Sequence, residues 1–396
     1  MIEGAAFLDE AAARGLRFYT GVPCSYLTPL INGVASSRTL SYVGAASEGE
    51  AVAIAAGAWL AGQDTVVMCQ NSGLGNAVNP LTSLNHPFRI PTLLICTWRG
   101  EPGRKDEPQH ALMGRVTPDL LRTIAVPQGV FPRTEAEIGP ALDAAFASMN
   151  DGTPFALLLH EGSVAPTVLD EPRRAPLPPG RLVDGRAGGD RPARAAVLER
   201  LLAVIPDAAA VVATTGKCGR ELFTLADREQ HLYQVGSMGC ATGMGLGVAL
   251  HTPRRVVVLD GDGAALMKLG TLATVGACQP AGLVHVLLDN GVHDSTGGQA
   301  TSSPVVDFSA VALACGYRAA FACDDVPGVE RAFRAALATE GPALLHVRIR
   351  PGSMEALGRP NVAPHEVARR FRAFLARPMQ AQEHAAQEHA AQGRAA

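Results

Sequence analysis

Val256-Val257-Val258-Leu259-Asp260-Gly261-Asp262-Gly263 and, one helix-length interval later, Leu283-Val284-His285-Val286-Leu287-Leu288-Asp289-Asn290-Gly291 are the stretches that decide the fold. Each is a largely apolar run that breaks into polar residues and glycine. Such runs read as strands buried on both faces, and the interval between them leaves room for one crossover helix. Asp262 and Asn290 then stand at the C-terminal tips of two parallel strands, where open α/β sheets bind ligands. A carboxylate and a carboxamide at that place suit a hard cation such as Mg²⁺, which takes one or two protein side chains plus phosphate oxygens. Taken singly, Asp-Gly and Asn-Gly are ordinary turns. It is the pairing, with both halves ending strong strands, that points to a ligand site.

Working outward, the fold class is α/β, with two doubly wound parallel-sheet domains. In residues 1–165, strands are expected at Thr65 to Cys69, Thr92 to Thr97 and Phe155 to His160, with Ala-rich helices around Glu50 to Leu60 and Glu135 to Met149. Residues 166–194 are rich in Pro, Arg and Gly without a period and read as a surface linker. Residues 195–377 resume with a helix near Ala195 to Ala203 and further strands at Ala209 to Thr214 and Leu344 to Ile349. The alternation implies right-handed crossovers and a parallel sheet in each half. Residues 378–396 repeat Gln-Glu-His-Ala-Ala and read as a low-complexity, disordered tail whose His384 and His389 are solvated.

Composition narrows the function classes. A net charge of −3 and a pI near 6.4 over 396 residues offer no basic field for nucleic acid. No apolar run approaches a membrane span, and the N-terminus lacks a signal-peptide pattern, so a cytoplasmic protein is expected. The eight cysteines form no CxxC pair, which indicates neither a zinc site nor a disulfide framework. Buried free thiols are expected.

Two further constellations bear on chemistry. Ser47-Glu48-Gly49-Glu50 opens a run of Ala, Val and Gly, so Glu48 sits where a strand through Tyr42 and Val43 gives way to a small-residue helix. By itself a carboxylate there contributes only about 0.3–1 kcal/mol through the helix dipole. Gly236-Ser237-Met238-Gly239-Cys240-Ala241, continuing through Gly243, Gly245 and Gly247, is a glycine-rich turn entering a small-residue helix that would permit close approach to a cofactor. The glycines are out of register with GxGxxG, which weighs against a nicotinamide dinucleotide.

Several ordered blocks together carry a resemblance: Gly21-Val22-Pro23-Cys24-Ser25, Gln70 through Asn76, Trp98-Arg99-Gly100 through Lys105-Asp106-Glu107-Pro108-Gln109-His110, Thr214 through Lys217, Gly261-Asp262-Gly263, and Asp289 through Gln299. Over roughly residues 1–165 and 195–375 the chain resembles the phosphonopyruvate decarboxylases, a short two-domain branch of the thiamine-diphosphate-dependent 2-oxoacid decarboxylases. One departure is Asp289-Asn290 where the wider superfamily has Asn-Asn. The resemblance implies pyrimidine- and diphosphate-binding domains and two cofactors, thiamine diphosphate and Mg²⁺. It implies Asp262, Asn290 and the carbonyl of Val292 as metal ligands, and Glu48 as the carboxylate against the aminopyrimidine ring. The Gly236 carbonyl would accept from the ring's amino group, Ser237 belongs to the same support, and Met238 would hold the cofactor bent. His110 and His293 are the candidate proton donors, with Asp294 expected to orient His293. Ser25, Arg99, Arg104, Lys105 and Lys217 are candidates for the phosphonate. The implied reaction converts 3-phosphonopyruvate to phosphonoacetaldehyde and CO₂, a step in phosphonate natural-product biosynthesis. A homodimer or larger homo-oligomer follows from the same resemblance, with sites built between chains. Alternatives are a sulfopyruvate decarboxylase or another 2-oxoacid decarboxylase, a nicotinamide-dependent oxidoreductase, and a non-catalytic cofactor-binding subunit.

Overall fold

The structure is a computed structural model that describes residues 1–171 and 175–379. The chain divides into two compact units, Met1–Pro176 and from Leu177 onward. The tail repeat with His384 and His389 lies outside the described residues.

The first unit is built on six strands: β1 (Leu16–Gly21), β2 (Ser41–Gly44), β3 (Asp64–Gln70), β4 (Leu93–Thr97), β5 (Gln128–Val130) and β6 (Phe155–Leu159). They form one parallel sheet in the order β2-β1-β3-β4-β6-β5. The chain steps from β1 to β2 in one direction and from β3 to β4 in the other, so the order reverses between β1 and β3. The crevice for ligands in such a sheet opens at the carboxyl ends of those two strands. At that point β1 and β3 approach so closely that a Cβ on Gly21 would lie 2.0 Å from the Met68 carbonyl oxygen. Only glycine fits.

The helix Glu48–Leu60 that follows β2 is buried on nearly every side, with Trp59 the one residue not fully enclosed. A helix of Ala, Gly and Val can be buried all round because it presents no polar face. Ser47 caps it, its hydroxyl accepting from the Glu50 N–H at 3.3 Å. Glu50 points back and accepts from the Ala46 N–H at 2.7 Å, so the rival carboxylate closes the helix start.

The second unit carries seven parallel strands in the order β7-β14-β15-β11-β10-β8-β9. These are β7 (Arg181–Asp184), β8 (Ala210–Ala213), β9 (His231–Tyr233), β10 (Val256–Gly261), β11 (Leu283–Asp289), β14 (Ala319–Cys323) and β15 (Ala343–Arg348); a small hairpin of β12 (Val292–His293) and β13 (Gln299–Ala300) follows β11. β10 and β11 are neighbours in register, Gly261 opposite Leu288, which puts the two polar tips side by side. The order reverses between β8 and β10. Within the stretch expected as a linker, Arg181–Asp184 pairs with Ala319–Ala322 as an edge strand. All four of its residues are exposed, so backbone hydrogen bonding is the main thing that enlists it, and no apolar alternation marks it in sequence.

The helix Ala241–Ala249 lies against β10, and a Cβ on Gly245 would come 2.2 Å from Val258 Cγ2. The glycine at this position therefore serves helix–sheet contact, while the turn before the helix faces the cavity. All eight cysteines are free, with Cys278 and Cys315 half-buried and the others buried. Among the described residues no helix is long and apolar enough to cross a membrane.

Candidate active site

In the second unit a cavity of about 240 Å³ opens at the β8/β10 reversal, lined among others by Thr214, Lys217, Met238, Asp262, Asn290 and His293. Asp262 is buried, 2% exposed, at the first turn of the helix Asp262–Met267. Its Oδ2 accepts from Thr301 Oγ1 at 2.5 Å. Burial pushes its carboxyl above the ordinary range, the Thr301 bond opposes that, and the nearby charge of Asp289 adds to it. The carboxylate has no cationic partner among the described residues, which is the electrostatic situation a bound cation relieves.

Asn290 is turned by Asp294. Its Nδ2 donates to Asp294 Oδ2 at 2.7 Å, while its Oδ1 accepts from the Val292 N–H at 3.2 Å. Asp294 also takes Arg194 Nη2 at 2.5 Å and the Gly352 N–H at 3.2 Å. The expected orientation of His293 by Asp294 is therefore replaced: a buried guanidinium and a carboxamide claim the carboxylate. Asp289 points the other way, accepting from Ser303 Oγ at 2.5 Å and bonding His346 Nε2 at 2.9 Å. Burial would raise it, yet His346 and Ser303 outweigh burial and hold it below the ordinary value. Asp289 supports the strand end, while Asn290 lines the cavity.

Lys217, Met238, Gly261, Gly263 and His293 line the same cavity, while Gly236 and Ser237 lie in the turn just before Met238. A Cβ on Gly263 would sit 2.7 Å from His293 Cε1 and 3.3 Å from Met238 Cε, so those side chains flank Gly263. Around Gly261 there is open space within 4 Å. Ser237 holds a left-handed backbone, φ 53°, fixed by Gln234 Nε2 donating to its carbonyl at 2.7 Å; this turn presents Gly236 and Met238. Lys217 begins the helix Lys217–Leu225 behind Gly216, whose φ is 90°. The buried Thr214 hydroxyl on the cavity wall finds no partner among the described residues. Asp262, Asn290 and Val292 all line the cavity, and a carboxylate, a carboxamide oxygen and a backbone carbonyl there would offer the all-oxygen donor set that Mg²⁺ takes. Among the described residues no three His, Cys, Asp or Glu side chains cluster as a softer metal would need. The residues present fit a magnesium-bound diphosphate.

In the first unit, Glu48 is buried at 9% exposure, its Oε2 accepting from Asn76 Nδ2 at 2.9 Å. Its other oxygen lies against the turn Asn71–Gly73, where a Cβ on Gly73 would be 2.1 Å away. The same turn follows Gln70, whose Nε2 reaches Ser72 Oγ at 2.5 Å and His110 Nε2 at 3.4 Å. His110 is buried, with Nδ1 3.0 Å from Asp106 Oδ1. Sequence reasoning assigns no role to Asp106, yet it is the hub of this group. It receives Arg99 through both oxygens, at 2.8 and 2.6 Å, and the N–H groups of Gly100 and Glu107 at 2.7 and 2.8 Å. Arg99, against the cost of burial, and then His110 and the two backbone donors hold its carboxyl far below the usual range. Ser25 is exposed and accepts from Arg99 Nη1 at 3.1 Å. Arg104 is tied to Glu101 at 2.9 Å, and Lys105 is exposed with no ion pair among the described residues. The clue to Asp106 in sequence was its place four residues before His110 on a turn.

Residues 3–120 match the thiamine pyrophosphate enzyme N-terminal TPP binding domain, and residues 215–347 match the C-terminal TPP binding domain. The fold and both sites thus define a thiamine pyrophosphate enzyme. The chain is 55% identical over 381 residues to "Phosphonopyruvate decarboxylase" of Streptomyces viridochromogenes, covering 96% of each protein. It is 30% identical to "Sulfopyruvate decarboxylase" of Methanosarcina acetivorans, covering 91% of this chain and 94% of the relative. Benzoylformate decarboxylase from Polynucleobacter necessarius shares the fold, with a TM-score of 0.65 at 14% identity, covering 89% of this chain and all of that one. The chain belongs to the phosphonopyruvate decarboxylase family.

Proposed function

We propose that this chain decarboxylates 3-phosphonopyruvate to phosphonoacetaldehyde and CO₂, using thiamine diphosphate and Mg²⁺. The observation that carries the reading is 55% identity along nearly the whole chain; it is supported by a buried Glu48 at the start of the helix after β2 and by Asp262 and Asn290 just beyond the neighbouring strands β10 and β11. When bound, the cofactor supplies a nucleophilic carbon and takes up the electron pair that departing CO₂ leaves behind.

Everything else falls to this protein's own side chains and backbone groups. Asp262, Asn290 and the Val292 carbonyl hold the metal, with Thr301 and Asp294 fixing which oxygens are presented. Glu48 keeps one oxygen on Asn76 and offers the other to share a proton with the aminopyrimidine ring. Gly236 and Met238 support that ring from the Ser237 turn. His110, anchored through Nδ1, presents Nε2 as the atom that moves a proton, and a positioned donor of this kind contributes about 10²–10⁴ in rate. His293 is the second proton carrier, on the cavity of the second unit.

The test is CO₂ release from phosphonopyruvate with and without thiamine diphosphate and Mg²⁺, beside sulfopyruvate as competitor. Turnover of the sulfonate alone would reassign the substrate. Glu48→Gln is expected to abolish release while leaving cofactor binding, and full activity in that variant would remove Glu48 from the mechanism. We further infer a cytoplasmic assembly of at least two chains, each site drawing Glu48 from one copy and Asp262 from another. A fully active monomer in sedimentation would reject it.

A further inference from the structure

The cations proposed for the anionic tail of the substrate are not equivalent. Arg104 is committed to Glu101, which also bonds His160 Nδ1 at 2.8 Å, and Lys105 stands exposed on a flexible stem. Arg99 is different. Its guanidinium packs 4.5 Å from the centre of the Tyr26 ring and is 15% exposed. Nε and Nη2 grip Asp106, and Nη1 reaches Ser25 Oγ. Because guanidinium nitrogens of the Nη type each carry two N–H groups, donors on Nη1 and Nη2 remain uncommitted among the described residues. Asp106 also bonds His110 and accepts from two backbone N–H groups, so the carboxylate that fixes Arg99 is itself firmly held.

Resting on the function above, we propose that Arg99 is the residue that binds the phosphonate tail and sets specificity for it. Asp106 is a positioning residue that holds Arg99 and His110 on one carboxylate. An arginine fits because a planar fork with free N–H groups matches phosphonate oxygens, and stacking on Tyr26 fixes its plane before substrate arrives. The same carboxylate sets the distance between the tail-binding cation and the histidine ring, so the two groups move together. Gln70, touching His110 on its far side and preceding the turn against Glu48, continues this chain of contacts through the first unit.

The experiment is steady-state kinetics of the cofactor-loaded enzyme with phosphonopyruvate as varied substrate. Arg99→Met is expected to raise KM about 100-fold, the scale of losing a charge-assisted pair. Its kcat at saturation should fall by a clearly smaller factor than KM rises, because His110 keeps its own bond to Asp106. Arg99→Lys, which keeps the charge without the fork, should raise KM about tenfold. Asp106→Asn should raise KM and lower kcat together, because it loosens both groups it holds. A purely structural Arg99 would reduce the cofactor-saturable fraction, lowering kcat at unchanged KM, and that result in either Arg99 variant overturns the proposal. If Arg99→Met does not fold, Arg99→Lys carries the same split. Failure of the unaltered enzyme to release CO₂ from phosphonopyruvate would instead reject the function itself.

Discussion

Gly73→Ala separates stability from activity. Gly73 has φ −78° and ψ −11°, a conformation open to any residue, and it begins the helix Leu74–Pro80. Its replacement should stabilise the chain by about 0.4–1 kcal/mol, through the smaller freedom of the unfolded state. The new Cβ, however, would lie 2.1 Å from Glu48 Oε1, 2.3 Å from Cδ and 2.6 Å from Cγ. Non-bonded atoms settle at about 3.5 Å, so the side chain must retreat by roughly 1 Å. The clashing atoms all belong to one side chain, so the retreat is taken by Glu48 and not by the backbone, and it strains the bond to Asn76. A displacement of about 1 Å in a reacting group costs on the order of 10²-fold, or about 2.7 kcal/mol of barrier. The assay pairs CO₂ release with thermal unfolding. The expected result is unchanged or slightly higher stability, a retained thermal shift with thiamine diphosphate and Mg²⁺, and turnover down about 100-fold. Turnover within twofold of the unaltered enzyme would refute the placement of Glu48 as the acting carboxylate.

Asp262→Ala removes the one charged member of the proposed metal-binding set. A ligand at about one hundred times its Kd stabilises by roughly 2.7 kcal/mol, and this thermal shift with cofactor and Mg²⁺ should vanish; its persistence would place the metal elsewhere. Gly245→Ala drives a Cβ to 2.2 Å from Val258 Cγ2 and should cost about 1–3 kcal/mol in denaturant unfolding, with KM unchanged. Asp106 has a folded pKa depressed below its unfolded value. Its contribution to stability is therefore complete above the ordinary carboxylate pKa and fades as pH falls through the depressed one. Asp106→Asn should flatten the loss of stability on acidification from about pH 4 downward, and equal slopes in both proteins would contradict the pairing with Arg99.

The strands that carry the sites were legible because their burial is written in their composition. β10 and β11 are nearly continuous apolar runs ending in Gly261-Asp262 and Asp289-Asn290, and parallel strands enclosed on both faces require such runs. The helix after Ser47 was legible for the same reason, since beyond Glu50 its residues are small or apolar and leave no polar face. The edge strand Arg181–Asp184 was not, because its pairing uses only backbone groups, which every sequence possesses.

By itself the sequence determined the α/β class, the two polar strand tips and the family to which they belong, because these depend on local apolar runs and ordered motifs. Tertiary structure alone decided how the charged residues are shared out. Asp294 belongs to Arg194 and Asn290 instead of His293, Asp289 to His346 and Ser303, and Asp106 to both Arg99 and His110. Partners such as Arg194 and Asp294, or Asp289 and His346, are dozens of residues apart in sequence. Even over the few residues between Asp106 and His110, hydrogen-bond choice depends on which loop the sheet order delivers to which strand end.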